Sequence, residues 1–124
     1  MEYISSTEMY HINAEITGHK PIVRDQRLLQ AAMRRPFVRM FGAEAYPTFM
    51  EKAAALLHSV AHDHIFADGN KRTAREVVTR FLHRNGYTID WTDCYEFILR
   101  IAQGQVEIPE IAAWLEDRTA PHNP

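Results

Sequence analysis

Two apolar stripes at helical spacing lie on either side of one short polar loop, and they leave this chain little choice of fold. Phe49, Ala53, Leu56, Leu57, Val60 and Ala61 recur at the intervals that place side chains on one face of a helix. Ala74, Val77, Val78, Phe81 and Leu82 do the same beyond the loop. These are the two longest stripes in the chain, so both helices should pack centrally and hold the loop rigidly between them. Pro47 suits the first position of the earlier helix, and Asn85-Gly86 supplies a left-handed cap to end the later one.

Helical signals dominate the remainder. Ser5 and Glu8 form a Ser-x-x-Glu capping box for a short helix running to about Gly18, and His19-Lys20-Pro21 reads as a connector. Asp25 caps a second helix carrying Leu28, Leu29, Ala32 and Met33, which must stop before Pro36. Across residues 36–46 no helical period survives, so that segment is a loop or a short hairpin. Tyr87 to Trp91 is too short to classify. Asp93 with Glu96 is a second capping box, opening a helix through Phe97, Ile98 and Ile101 to Gly104. Pro109 starts a last helix with Ile111, Trp114 and Leu115, and the tail 119–124 is expected to fray. The expectation is an all-α bundle of about six helices, one domain over residues 1–118.

Composition narrows the function classes. A net charge of −2 exerts no global pull towards nucleic acid or anionic membrane, so no direct DNA binding and no membrane contact are expected, and any basic site must be local. The single cysteine, Cys94, has no partner for an internal disulfide and fits a reducing compartment. No basic start followed by an apolar run marks a secretory signal, and no stretch approaches the roughly 18 apolar residues of a membrane span. The expected location is cytoplasmic.

The loop itself carries the chemistry. His64-Ile65-Phe66-Ala67-Asp68-Gly69-Asn70-Lys71-Arg72 places a histidine, a carboxylate, a glycine turn and two cations where a helix begins, and Arg75 follows one turn later. A helix start is the positive end of the macrodipole and disfavours bases. Three cations there repel one another and the dipole unless an anion sits among them, and phosphate is the natural one. Phe66 should turn inward and leave His64 and Asp68 facing the opening. Gly69 permits a close turn and close approach of an anion, while Asn70 can cap the helix with its side chain. Asp68 is a hard oxygen ligand suited to Mg²⁺. Lys71 and Arg75 share one helix face, and Arg72 beside them could pair with Glu76. His64 can accept a proton from an attacking hydroxyl. Together these parts describe phosphoryl or nucleotidyl transfer.

Each part also has a plainer account: a histidine at a helix end, an ordinary Asp-Gly turn, a solvated basic face. The conjunction favours the site, because cations in the first turn lack such an account. His58 and His62, four apart on a helix, could ligate a transition metal with Asp63 or His64. His62-Asp63 also resembles the paired ligands of helical metal-dependent phosphohydrolases, which would need further ligands such as His11, His19 or Asp93. A non-catalytic binding module is the remaining alternative.

The loop resembles the motif of the Fic/Doc superfamily, His-x-Phe-x-(Asp/Glu)-Gly-Asn-x-Arg. The AMP-transferring branch usually has proline after the histidine and glycine after the asparagine, where this chain has Ile65 and Lys71. Asn-Lys-Arg is the form of the Doc toxins in Phd/Doc toxin–antitoxin modules, whereas Arg75 matches the second arginine of the AMP-transferring pattern. Arg24-Asp25 leading into Leu28-Leu29-Gln30-Ala31-Ala32 and Arg35-Pro36 is also similar to the family. So are Glu51-Lys52-Ala53-Ala54-Ala55-Leu56-Leu57-His58-Ser59 and the later Phe81-Leu82 and Asn85-Gly86-Tyr87. The resemblance implies that His64 is the base, Asp68 the Mg²⁺ ligand, and Gly69, Asn70, Lys71 and Arg72 the phosphate cradle. It implies transfer of the terminal phosphoryl group of ATP to a threonine of elongation factor Tu, with AMP transfer as the alternative. It further implies control by a separate antitoxin of the Phd type, and a target-docking flap within residues 36–46.

Overall fold

The helix that organises the molecule is buried on every side. In the computed structural model, which describes residues 1–122, α3 (Phe49–His62) has Lys52 to Leu57 buried without a break, then Ser59, Val60 and Ala61. The stripe read from the sequence accounts for one face. Ala54 and Ala55 cover the others, and their small size lets neighbouring helices approach closely.

Around α3 stand α1 (Ser6–Thr17), α2 (Gln26–Arg34), α4 (Asn70–Arg84), α5 (Tyr95–Ala102) and α6 (Ile108–Arg118). α3 packs against α4 and α6 most extensively, and α1 lies on α4. Phe66, Phe81, Met9, Ile12, Leu56, Leu57, Ile101, Ile111 and Leu115 belong to one continuous core. Among the described residues, six helices with two small two-stranded sheets make the expected helical bundle, and none of those helices is long and apolar enough to cross a membrane.

Helix starts follow the capping chemistry with three corrections, at the starts of α3, α5 and α4. Ser5 Oγ accepts from the Glu8 N–H at 3.1 Å, and Asp25 Oδ1 from the Arg27 N–H at 2.8 Å. Pro47 is not the first residue of α3. Thr48 caps it, accepting from the Glu51 N–H at 3.2 Å and donating to the Glu51 carboxylate at 2.8 Å, a reciprocal box one residue later. The Asp93–Glu96 box does not form either. Asp93 is left-handed (φ 58°), and α5 starts after Cys94 without a side-chain cap. Asp90 takes up the local hydrogen bonding instead, accepting from the Thr92 N–H at 2.9 Å and its hydroxyl at 2.6 Å.

Residues 36–46 resolve into a single 3-10 turn (Arg35–Phe37) and a minimal hairpin of β1 (Arg39–Met40) and β2 (Ala43–Glu44). The tail does not fray where it leaves α6: β4 (Thr119–Pro121) pairs antiparallel with β3 (Tyr87–Ile89), Ile89 opposite Thr119 and Tyr87 opposite Pro121. The His122 N–H then donates to the Gly86 carbonyl at 2.7 Å, and residues 123–124 lie outside the described part. Three-residue strands carry no readable period, so neither partner announced the other.

Candidate functional site: the loop between α3 and α4

The chain leaves α3 through a left-handed His64 (φ 52°), which keeps that side chain exposed while Ile65 and Phe66 both turn into the core. The sequence reading anchored the loop through Phe66 alone; Ile65 is a second anchor. Backbone pairing adds a third constraint. The Arg24 N–H donates to the Ile65 carbonyl at 2.7 Å and the Ala67 N–H to the Ile22 carbonyl at 2.9 Å, so the α1–α2 connector runs beside the loop as a short antiparallel ribbon.

Asn70 does not cap α4. Its side chain folds back on the loop, with Oδ1 accepting from the Phe66 N–H at 3.0 Å and Nδ2 donating to the Phe66 carbonyl at 2.8 Å. The cap position falls to Gly69, left-handed at φ 75°, and no side chain satisfies the N–H groups of the first turn. A methyl group at Gly69 would lie 2.8 Å from Thr17 Cγ2 and 3.3 Å from Asn13 Nδ2, so both the backbone angle and the lack of space require glycine. Asn13, buried on α1, completes this corner by donating from Nδ2 to the Asp68 carbonyl and to Thr73 Oγ1, each at 3.0 Å. Sequence reasoning missed it. The available signal was a polar residue between Ile12 and Ile16 on the apolar face of the first helix.

Lys71, Arg72 and Arg75 are exposed, and among the described residues none of them pairs with a carboxylate. The expected Arg72–Glu76 pair is absent because Arg80 takes Glu76 at 3.0 Å, one turn further on. Arg72 instead donates to the Ile16 carbonyl at 3.3 Å, near the C-terminal end of α1. The Arg75 guanidinium lies over the Trp91 ring, 5.8 Å from its centroid. Gly69, Asn70, Lys71, Arg72 and Arg75 all line one cavity of about 340 Å³, closed on its other side by Cys94, Tyr95 and Ile98. His64 and Asp68 sit on the loop outside that lining.

Asp68 is exposed and faces His19 of the connector after α1. His19 Nε2 stands 3.3 Å from Asp68 Oδ2, and its Nδ1 donates to the Lys20 carbonyl at 2.9 Å. The carbonyl first, and the carboxylate second, raise the His19 pKa above its ordinary value. Among the described residues no Lys or Arg pairs with Asp68, so a hard oxygen donor remains available. The donors present therefore fit a divalent cation such as Mg²⁺.

The other histidine cluster has a different use. His58, His62 and Asp63 bring one potential ligand atom each within 4.8 Å of one another, and the two rings stack at 5.0 Å. His64 does not join them, and neither do His11, His19 or Asp93. His58 Nδ1 is occupied: it accepts from Arg35 Nη1 at 2.8 Å, while Arg35 also donates to Ser59 Oγ at 3.0 Å and to the Tyr46 hydroxyl at 3.1 Å. Burial, then the Arg35 charge, hold the His58 pKa down. A guanidinium already on that nitrogen ties the 3-10 turn to α3 and disfavours a metal there.

Fold and site define a class, a helical bundle whose central pair of helices presents an uncapped, cation-ringed N-terminus. A model described as the Fic/DOC family matches residues 3–82, and the chain belongs to that family. It is similar to the toxin Doc of Mycolicibacterium smegmatis, 36% identical over 118 residues that cover 92% of this chain and 91% of the relative. It is also similar to the protein kinase doc of Escherichia phage P1, 30% identical over 116 residues covering 90% and 91%. The chain is thus a Doc-like member of the family. The α5 wall of the cavity lies beyond the residues matched by the family model.

Proposed function

We propose that this protein is a Doc-like toxin that transfers the terminal phosphoryl group of ATP to a threonine hydroxyl of elongation factor Tu and so arrests translation. The observation that carries this reading is the bare start of α4, where Gly69 gives the first turn no side-chain cap beside a cavity edged by three cations that, among the described residues, pair with no carboxylate. Free N–H groups and clustered cations stabilise the charge that spreads over a phosphoryl group in flight. Lys71 stands where AMP-transferring relatives have glycine. A side chain there would take up room that glycine leaves for a diphosphate against the backbone, which would favour the nucleotide orientation that exposes the terminal phosphate.

In this reading His64 takes the threonine proton as the oxygen attacks phosphorus, and ADP departs. Lys71, Arg72 and Arg75 neutralise the phosphate oxygens. Asp68 would hold Mg²⁺, which supplies charge neutralisation across the phosphates. The exposed hairpin of β1 and β2, with Phe41 fully exposed at its tip, serves as the docking flap for the acceptor protein. A separate antitoxin of the Phd type controls the activity in the cytoplasm.

One observation favours a second reading, AMP transfer: Arg75 lines the same cavity, where an additional phosphate contact would suit a nucleotide bound the other way round. Incubation with elongation factor Tu and ATP labelled at the α or γ phosphate separates the two. Label passes from the γ position alone in the first case and from the α position in the second, and His64→Ala abolishes either. No transfer from either position, with growth unaffected on expression, would refute both.

A further inference from the structure

The α1–α2 connector brings a second donor atom to Asp68. We propose that His19 is a ligand, together with Asp68, of the divalent cation at this site, and that the pair takes a first-row ion such as Mn²⁺ more tightly than Mg²⁺. The inference rests on the reading of Asp68 as a metal ligand.

Three features carry it. The first is the tautomer. A backbone carbonyl only accepts, so the 2.9 Å contact between His19 Nδ1 and the Lys20 oxygen assigns the proton to Nδ1. In the neutral ring the lone pair is then on Nε2, the atom aimed at Asp68 Oδ2. A ring nitrogen bonded to a backbone carbonyl, with the other turned towards the ion, is the arrangement that orients metal-ligating histidines. Here the other faces Asp68 Oδ2 at 3.3 Å, where either a proton or a cation can lie between them.

The second feature is spacing. Nε2 and Oδ2 are 3.3 Å apart. Adjacent ligand atoms on an octahedral ion with bonds of about 2.1 Å stand about 3.0 Å apart. A movement of a few tenths of an ångström, by two exposed side chains, suffices to close on one ion. Without a cation or a proton between them, the two lone pairs repel.

The third is rigidity. The connector is hydrogen-bonded to the loop through the Arg24–Ile65 and Ile22–Ala67 backbone contacts, and the Thr17 hydroxyl donates to the His19 carbonyl at 3.3 Å. Asp68 is fixed in turn by Asn13 on its carbonyl. Both ligands are therefore held on the same frame. An imidazole in the coordination sphere favours Mn²⁺ over Mg²⁺, which strongly prefers oxygen ligands.

The test is Mn²⁺ binding in the presence of ADP, followed by titration and by pulsed electron paramagnetic resonance on protein with ¹⁵N-labelled histidine. Wild type should show coupling to a histidine nitrogen. His19→Ala, a change at an exposed position, should lose that coupling and weaken Mn²⁺ by about tenfold, while Mg²⁺ weakens less. Mn²⁺ bound without histidine coupling, or bound equally or more tightly by His19→Ala, would make His19 a competing ion-pair partner and overturn the inference while leaving Asp68 as a ligand. Failure of wild type to bind Mn²⁺, or unchanged binding in Asp68→Ala, would overturn the Asp68 reading and this inference together.

Discussion

The loop between α3 and α4 and the hairpin of β1 and β2 are both short irregular segments flanking α3, yet they are built on opposite principles. The loop is held from four directions: Ile65 and Phe66 in the core, the connector along its backbone, Asn70 folded onto Phe66, and Asn13 beneath Asp68. The hairpin is exposed along both strands and held only at its base. There Lys52, itself buried, donates to Glu44 Oε1 at 2.9 Å and to the Tyr46 carbonyl, while Arg35 donates to the Tyr46 hydroxyl. Groups that must meet a nucleotide in one geometry need a site that is already organised. A surface that meets a partner chain tolerates motion and gains from accessible apolar side chains.

The contrast can be broken most severely at Phe66. Phe66→Ala removes a side chain only 1% exposed and should cost about 3–5 kcal/mol by denaturant titration. A loss below about 1 kcal/mol would mean that the loop is no better anchored than an ordinary surface segment. Next comes Asn70→Ala, which leaves the Phe66 N–H and carbonyl without their partner. About 1–3 kcal/mol should be lost, together with phosphotransfer, and the loop amides should exchange with solvent faster.

A pH series sharpens the comparison further. Lys52 holds the Glu44 pKa below its ordinary value, first through their hydrogen bond and then through its charge. A depressed carboxylate pKa stabilises the hairpin at all pH above the unfolded value, and that stabilisation fades as pH falls through the lowered folded value. Hairpin amides should therefore exchange progressively faster on acidification through that window, relative to the ordinary pH trend. Glu44→Gln should abolish the dependence. The contacts that anchor Phe66 involve no titrating group, so the amides around Phe66 should not respond. The smallest effect is expected at Phe41, which is 100% exposed. Phe41→Ser should alter stability by under about 0.5 kcal/mol while raising KM for the acceptor protein and leaving KM for ATP unchanged. An unchanged acceptor KM would remove the hairpin from docking.

Much of this was legible in the chain because it depended on near neighbours. The stripes of α3 and α4, the caps at Ser5 and Asp25, the break at Pro36 and the inward turn of Phe66 each follow from residues within about two helical turns of one another. The grouping of Gly69, Asn70, Lys71, Arg72 and Arg75 at one cavity follows likewise, since all lie at one helix start. The misreadings are of two kinds, competition among near neighbours and pairing across the molecule. Asn70 has cap chemistry but folds back onto Phe66, and Asp93 has box spacing but a left-handed backbone. Arg72 lost Glu76 to a competitor one turn away, and the tail found β3 across the molecule.

The sequence by itself determined a helical bundle, the rigid placement of one loop, and the clustering of three cations at the start of α4. Periodicity and local charge are enough for that. Only the tertiary structure decided that Asn13 and His19, from the first helix and its connector, meet Asp68, that α5 closes the cavity, and that Lys52 anchors the hairpin. The contacts to Asp68 and across the cavity join residues far apart in the chain, those of Lys52 span only a short stretch, and none follows a period. What brings them together is the packing of α4, α6, α5 and α2 around α3 and of α1 onto α4, a constraint that acts on the whole core and leaves no mark on any one segment.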